Sequence, residues 1–329
     1  MTAKKIGVWR KSSCTRASDS TILYAYSTDI DDFTFRTASG RIVFDNTNRH
    51  TIYKTYANIR FDTLEEEEIQ YHSDYQSFNA SIFSRPPNAT LRYGNSDKGS
   101  DVYRVLRSFL DNQKKVPLCG AFVAIIVKRY PDERAVHISD IISQLRDNHI
   151  FVYIVVHDRK SGGYNADTLF DVAYKTNGYC IFDSGNNFWV SAINILEPNS
   201  CIYQFHSKNF VVSGSGRIDV GVFQAPFPSG YSYQLLVVHT LQNHSLKYAH
   251  LNYTIVSLDE SFVFTGPDQG SGWPQFGTGI IAYPRLNGSV EYKWTIDYNY
   301  YSTEEKQPQV IETRMYSSIY HDFLPLPDN

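Results

Sequence analysis

The 329-residue chain has no long apolar run. Its best candidates are "CGAFVAIIV" from Cys119 and "FVYIVV" from Phe151. Both fall well short of the roughly 20 residues that span a bilayer, and both suit buried strands. Nor is one charge in excess: 31 Lys and Arg stand against 34 Asp and Glu, a net charge of -3. A nucleic-acid partner needs a basic face, so that class is disfavoured. Cysteine is scarce, with four residues at Cys14, Cys119, Cys180 and Cys201 and no C-x-x-C spacing. A zinc site is therefore disfavoured, and disulfides or buried thiols remain, with three complete pairings open. The start, "MTAKKIGVWRKSSC", is basic but has no apolar segment behind it, so it is not a secretory signal peptide as it stands. Catalytic signatures are missing too. "SGSG" from Ser213 lacks the G-x-S-x-G pattern and lies between β segments. "GPDQGSGWPQFGTG" from Gly266 lacks the Lys-Ser/Thr of a phosphate loop. His239 and His244 lie near one another, but a five-residue spacing across a strand end is not a ligand signature. With no convergent acid/base pair visible, the expectation is a protein without enzymatic activity, cofactor or metal.

What is present fits two domains of about 150 residues each. Apolar residues make up 42% of the chain and aromatics 15%, with 25 tyrosines. Sequons at Asn79, Asn88, Asn243, Asn252 and Asn287 are candidate N-glycosylation sites. These features point to an extracellular protein whose leader is absent from this chain. From about residue 116, strands alternate with helices. "CGAFVAIIVKR" is a strand buried on both faces, and "AVHISDIISQLRDNHI" places Ile138, Ile141, Ile142 and Leu145 at helical spacing. "IFVYIVV", "ADTLFDVAYKT" and "NGYCIFD" continue as strand, helix and strand, which predicts right-handed crossovers and a parallel sheet. Upstream, "TILYAYSTDI" and "YANIRFDT" predict strands, and 100–115 predicts a helix with Val102, Val105, Leu106 and Phe109 on one side. Segment 31–50 is polar and rich in turn formers and gives no assignment. The acidic run Glu65–Glu68 is simplest as a solvated segment.

After Cys201 the texture changes. "SVEYKWTIDYNY" puts Val290, Tyr292, Trp294, Ile296 and Tyr298 on one face, as a half-buried antiparallel strand requires. Further strand-like runs and turn-rich breaks predict an antiparallel β-sandwich. The fold class is therefore α/β plus all-β. The predicted boundaries are a tail over 1–13, an α/β domain over 14–200, a β-sandwich over 201–320 and a tail over 321–329.

The order strand "ILYAYSTD", strand "ANIRFDT", helix 100–115, then "AFVAIIVKRYPDE" through "AYKTNGYCIFD" resembles a von Willebrand factor A domain. More narrowly, "LYAYSTD", "YANIRFDT" and the ending "AYKTNG" resemble a divergent A-like module of secreted multidomain proteins in nematodes. That module is often joined to CUB-like or C-type lectin domains. The resemblance implies a Rossmann-like parallel sheet with flanking helices, and a role in matrix or innate defence. It also implies a Mg²⁺ site with D-x-S-x-S after the first strand and an Asp after the fourth.

Here neither register of "AYSTDID" supplies the leading carboxylate: one gives Tyr26, Thr28 and Ile30, the other Ala25, Ser27 and Asp29. Lys128 stands where the later Asp would be, and a lysine repels a cation. The expectation is a lost metal site with a lysine in its space. Ser27, Asp29, Lys128, Arg129 and His157 then form a direct contact edge for an extracellular protein. Trp273 and Phe276, on a polar loop, are candidate glycan or protein contacts. A lectin-like sandwich and a structural spacer are the competing readings. In an A-type sheet the strands bearing Cys119 and Cys180 lie two apart, too far for a disulfide. Cys14 and Cys201 bracket the domain, and a Cys14–Cys201 bond is expected.

Overall fold

The computed structural model describes residues 14–48, 52–132, 138–183, 185–199, 201–242, 248–267, 278–300 and 308–327. The first half is an α/β domain. Its strands are β1 (Ser20–Ser27), β2 (Tyr53–Phe61), β3 (Gln70–His72), β4 (Phe122–Val127), β5 (Phe151–His157) and β6 (Tyr179–Asp183). They form one sheet in the order β3-β2-β1-β4-β5-β6, parallel except for the edge strand β3. That is a doubly wound order, which places loops from several strands together at the carboxyl edge.

Both faces of the sheet are covered, so its central strands are apolar throughout. Leu23, Ala25, Val123, Ile125 and Val127 share one core with α3 (Val102–Asp111), α4 (Ile138–Asp147) and α5 (Asp167–Lys175). Ile22, Tyr24, Tyr26, Ala124 and Ile126 face the other way. There they meet α1 (Asp32–Asn48), α2 (Tyr75–Ser84) and α6 (Phe188–Asn194). The segment that gave no assignment is thus a helix. Its Phe35, Ala38 and Ile42 are buried against the sheet, while the rest is mostly charged residues and Gly, Ser, Thr and Asn, with Phe33, Val43 and Phe44 besides. Tertiary packing rather than propensity holds it.

The second half is an antiparallel sandwich. One sheet runs β13-β10-β16-β7 and the other β12-β11-β15-β8. The first contains β7 (Tyr203–Val212), β10 (Leu236–Leu241), β13 (Gly279–Ala282) and β16 (Gln309–Ser317). The second contains β8 (Ser215–Gln224), β11 (Tyr248–Ser257), β12 (Val263–Gly266) and β15 (Glu291–Tyr300). A small hairpin pairs β9 (Ser232–Gln234) with β14 (Arg285–Asn287). Within the first sheet, β10, β13 and most of β16 are buried on both sides, while the edge strand β7 is largely half-buried. Leu235, Val237, Ile311 and Met315 face the sandwich core, while Leu236, Val238, Ile281 and Tyr316 join the core beneath the α/β sheet.

This sheet also closes the free edge of β6. Phe182 N donates to Thr278 Oγ1 at 2.9 Å, Thr278 N donates to Phe182 O at 2.8 Å, and Cys180 N donates to Glu312 Oε2 at 3.4 Å. Residues 321–327, read from the sequence as a tail, return to the α/β domain. Phe323 stacks on His149 at 4.3 Å, and Asn177 Nδ2 donates to Pro325 O.

The disulfide differs from expectation. Cys14 is bonded to Cys119, with Cα atoms 5.4 Å apart, and Cys180 and Cys201 carry thiols. The reason is topological. β1 and β4 are parallel neighbours, with Ile22 opposite Phe122, so the segments entering them lie side by side. β5 separates β4 from β6, which leaves Cys180 away from Cys119.

Candidate functional site at the carboxyl edge

Side-chain alternation sorts the loops at the carboxyl edge into two groups. Ser27 and Asp29 follow the parity of Ala25, and Arg129 follows that of Val127, so all three fall on the α3 side. Lys128 follows Ile126, and His157 follows Val155, on the α1 and α6 side.

On the α3 side the polar groups are buried and mutually satisfied. Arg129 Nε donates to Asp29 Oδ2 at 2.9 Å, with both side chains 2% exposed. Arg129 Nη1 donates to the carbonyls of Asn95 and Lys98, and Nη2 to that of Tyr93. Ser161 Oγ also donates to Asp29, and Arg92 lies 3.7 Å from its other oxygen. Gly162 has no room for a Cβ, which would fall 2.0 Å from Arg129 Nη1.

Beside this pair sits Asp62, at the end of β2, fully buried and in the left-handed region with φ 62°. It accepts from Ser27 Oγ at 2.6 Å, Ser100 Oγ at 2.8 Å and Asp101 N at 2.8 Å. Burial pushes its carboxyl up to about 7, against the lowering effect of those hydrogen bonds; the charge of Asp101 adds to the rise. The Asp101 carboxylate accepts from Tyr93 OH, and burial together with that bond raises the tyrosine.

Three expectations change here. The space beside Asp29 is taken by Arg129, not Lys128. Ser27 and Asp29 are buried, at 0% and 4% exposure, so they brace the loops and are not themselves a partner contact. Arg129, 2% exposed, is internal for the same reason. Ser100, which the sequence offers as a replacement for the middle-loop Thr of an A-type cation site, bonds to Asp62 instead. Asp62, Arg92 and Ser161 also belong to this network and were missed, because nothing in the local sequence separates them from loop polar residues.

The accessible group lies on the other side of the edge. Lys128 and His157 are half-buried, and Asp31, Asp32 and Arg159 are exposed. The His157 ring packs against Phe188 at 4.8 Å and accepts from Arg159 N at 3.0 Å through Nδ1. Burial lowers its pKa, Lys128 and Arg159 lower it further, and Asp158 and Asp31 oppose them. Phe33 is 60% exposed and meets Trp189 edge-on at 5.4 Å. These two rings form an apolar ridge beside the charged group, and neither was singled out in the sequence.

Of the other candidates, Trp273, Phe276 and Asn243 lie outside the described residues. Asn88 is exposed and caps a short turn through Thr90 N. Asn79, Asn252 and Asn287 are half-buried on α2, β11 and β14. Among the described residues no cluster of His, Cys, Asp and Glu has the make-up of a metal site, and no helix is long and apolar enough to cross a membrane.

A family model described as Domain of unknown function (DUF7154) matches residues 208–318, from within β7 to just past β16. No curated protein matches the sequence. Among solved structures, a von Willebrand factor type A protein from Catenulispora acidiphila is similar at 8% identity and a TM-score of 0.37. That alignment covers 91% of this chain and 58% of the other, so the chain spans less than two thirds of that protein's length. The SpRpn10 VWA domain is similar at 11% identity and a TM-score of 0.35, over 53% of this chain and 94% of its own.

Proposed function

We propose that this is a non-enzymatic recognition or adhesion protein of the extracellular space, which binds a protein partner without a cation. The Asp29–Arg129 pair carries this reading. In a domain resembling the von Willebrand A type, the place of the cation ligands is held by a guanidinium whose three nitrogens all have acceptors. A cation there would have to displace a buried, hydrogen-bonded positive charge. The partner meets the accessible half of the edge instead, through Lys128, His157, Asp31, Arg159 and the Phe33–Trp189 ridge. The Cys14–Cys119 bond fits an oxidising compartment and supports the extracellular assignment. The divergent nematode module remains the family type that the sequence resembles, with roles in matrix or innate defence.

The test is adhesion of the immobilised chain to purified matrix glycoproteins and to cells, with and without EDTA. Binding is expected to survive EDTA. It is expected to fall about tenfold or more in Lys128→Glu/Arg159→Glu, the scale of a disrupted charged contact. Binding abolished by EDTA overturns the cation-free reading.

A second reading, glycan binding by the sandwich, is favoured by Tyr231 and Tyr233. They are 57% and 44% exposed, with rings parallel within 8°. Stacking on sugar rings is what such aromatics do well. Glycan-array signal lost in Tyr233→Ala but retained in Lys128→Glu/Arg159→Glu would favour it.

A further inference from the structure

The six-stranded sheet has two edges, and the protein treats them differently. The sandwich closes β6 through Thr278 and Glu312. Among the described residues no strand lies outside β3. A groove follows β3 instead. Two adjoining cavities of ≈ 330 Å³ and ≈ 560 Å³ share Glu68, Ile69, Tyr71 and Lys114, and together they run from Glu66 to Ser73. Ile69 and Tyr71 pack against the core and give the groove an apolar floor.

Arg104 of α3 lines the groove as well. Its Nε is 3.5 Å from Glu66 and its Nη2 is 3.9 Å from Asp101. Both are too far for a good hydrogen bond, and both nitrogens are buried with no acceptor among the described residues. Glu67 is held by Arg60 and Arg85, whereas Glu66 and Glu68 are exposed on the rim.

We propose that this groove takes an extended, lysine- or arginine-bearing segment of a partner protein, which adds to β3 as a further strand of the sheet. An open sheet edge offers main-chain pairing, and alternate side chains then supply specificity. Arg104 lies in the wall of the groove beside the rim carboxylate of Glu66. Glu66 and Glu68, two residues apart, match the spacing of alternate basic side chains on an extended chain. A segment of about six residues covers roughly 20 Å, a length that fits along Glu66–Ser73. A second copy of this chain is the poorer occupant, because twofold pairing of β3 about Tyr71 is antiparallel and sets Glu68 opposite Asp74 and Glu66 opposite Gln76, so the copy brings no basic side chain to the acidic rim. The edge is distinct from the carboxyl-edge surface, so failure here leaves the cation-free reading untouched.

The test is amide hydrogen exchange of the full chain over Ile69–His72, with acetyl-Lys-Val-Lys-Val-Lys-Val-amide as the probe. Exchange there is expected to slow several-fold. The matching Glu-Val peptide is expected to have a weaker effect, and a Lys-Val peptide N-methylated at alternate residues none. Glu66→Lys/Glu68→Lys, on an exposed rim, is expected to invert the preference toward the Glu-Val peptide. Unchanged exchange with the Lys-Val peptide overturns the proposal and leaves the acidic run as a device that blunts an edge against aggregation. Equal protection by the N-methylated peptide overturns it too, since strand addition needs those N–H groups.

Discussion

Asp62 concentrates the chemistry of the carboxyl edge in one residue. It is buried, left-handed and bonded to Ser27, Ser100 and the Asp101 amide, and burial pushes its carboxyl up to about 7. An acid with a raised folded pKa stabilises the protein most when protonated. Its contribution is full below about pH 4 and is lost as the pH rises toward about 7. Asp62→Asn is expected to remove that falling slope while keeping the shape of the site, as urea midpoints measured across the window would show. Asp62→Ala strands three hydrogen-bonding groups and is expected to cost about 2–4 kcal/mol. An unchanged slope in the Asn variant would exclude Asp62 as its source. The neighbouring Asp29–Arg129 pair explains why the sequence misled at this point. Counting from the end of β4 picks out Lys128, but alternation along the strand turns residue 129, not 128, toward Asp29. The Asp29 position was legible; its partner required knowing which face each loop residue leaves from.

At the level of elements, strands were the most legible part and contacts between strands the least. Apolar runs announced β1, β2, β4, β5 and β6, and strict alternation announced β15, because burial on two faces or one writes directly into the sequence. Helix α1 did not announce itself, since only Phe35, Ala38 and Ile42 mark its inner stripe. The disulfide was misread because pairing of β1 with β4 is set by topology, not by local pattern. Non-reducing peptide mapping is expected to link the peptides of Cys14 and Cys119. Cys14→Ser is expected to cost about 2–4 kcal/mol, given the long loop that the bond closes. A Cys14–Cys201 peptide would contradict the structure.

The contact between the two halves invites a sharper test. Arg314 and Glu312 are both fully buried and 3.1 Å apart. Arg314 also donates to the carbonyls of Gly178 and Lys208, and Glu312 accepts from Thr240 Oγ1. Arg314→Met leaves a buried carboxylate without its partner and is expected to cost about 3–5 kcal/mol. Glu312→Leu/Arg314→Met removes both charges and is expected to recover most of that loss. A double variant as unstable as the single one would show that the neutral bonds to the α/β domain, not the charge pair, hold the contact.

Over the whole molecule, four buried titratable groups act in opposition. Glu312, like Asp62, is pushed up to about 7 by burial, despite Arg314 and the bond from Thr240. In the sandwich core, burial lowers both His206 and His239 to about 3. Lys208 and Arg314 add to the effect on His206, and His206 adds to that on His239. Both rings pack on Trp294, and His239 stacks on Tyr253 at 4.2 Å. Among the described residues, neither nitrogen of His239 has a hydrogen-bond partner, and the same holds for His206 Nε2, Tyr253 OH and Trp294 Nε1. A histidine with a lowered folded pKa must gain its proton in the unfolded chain first, so stability falls as the pH drops from about 6.5 toward about 3. The two acids impose the opposite slope from about 4 to about 7. Between about pH 4.5 and 6.5 the folded state holds two extra acid protons and lacks two histidine protons, so the four contributions nearly cancel. Over that window these four contributions to the slope are therefore expected to offset one another in the wild-type chain. Asp62→Asn/Glu312→Gln should expose a steep loss toward acid, and His206→Phe/His239→Phe a loss toward neutral pH. The histidine variant should also be more stable near pH 7, because it removes buried polar atoms that have no partner, each costing about 1–3 kcal/mol. Urea unfolding across the window, followed by tryptophan fluorescence, reads all three curves. Parallel curves in the three proteins would mean that these groups do not govern the pH dependence of the fold.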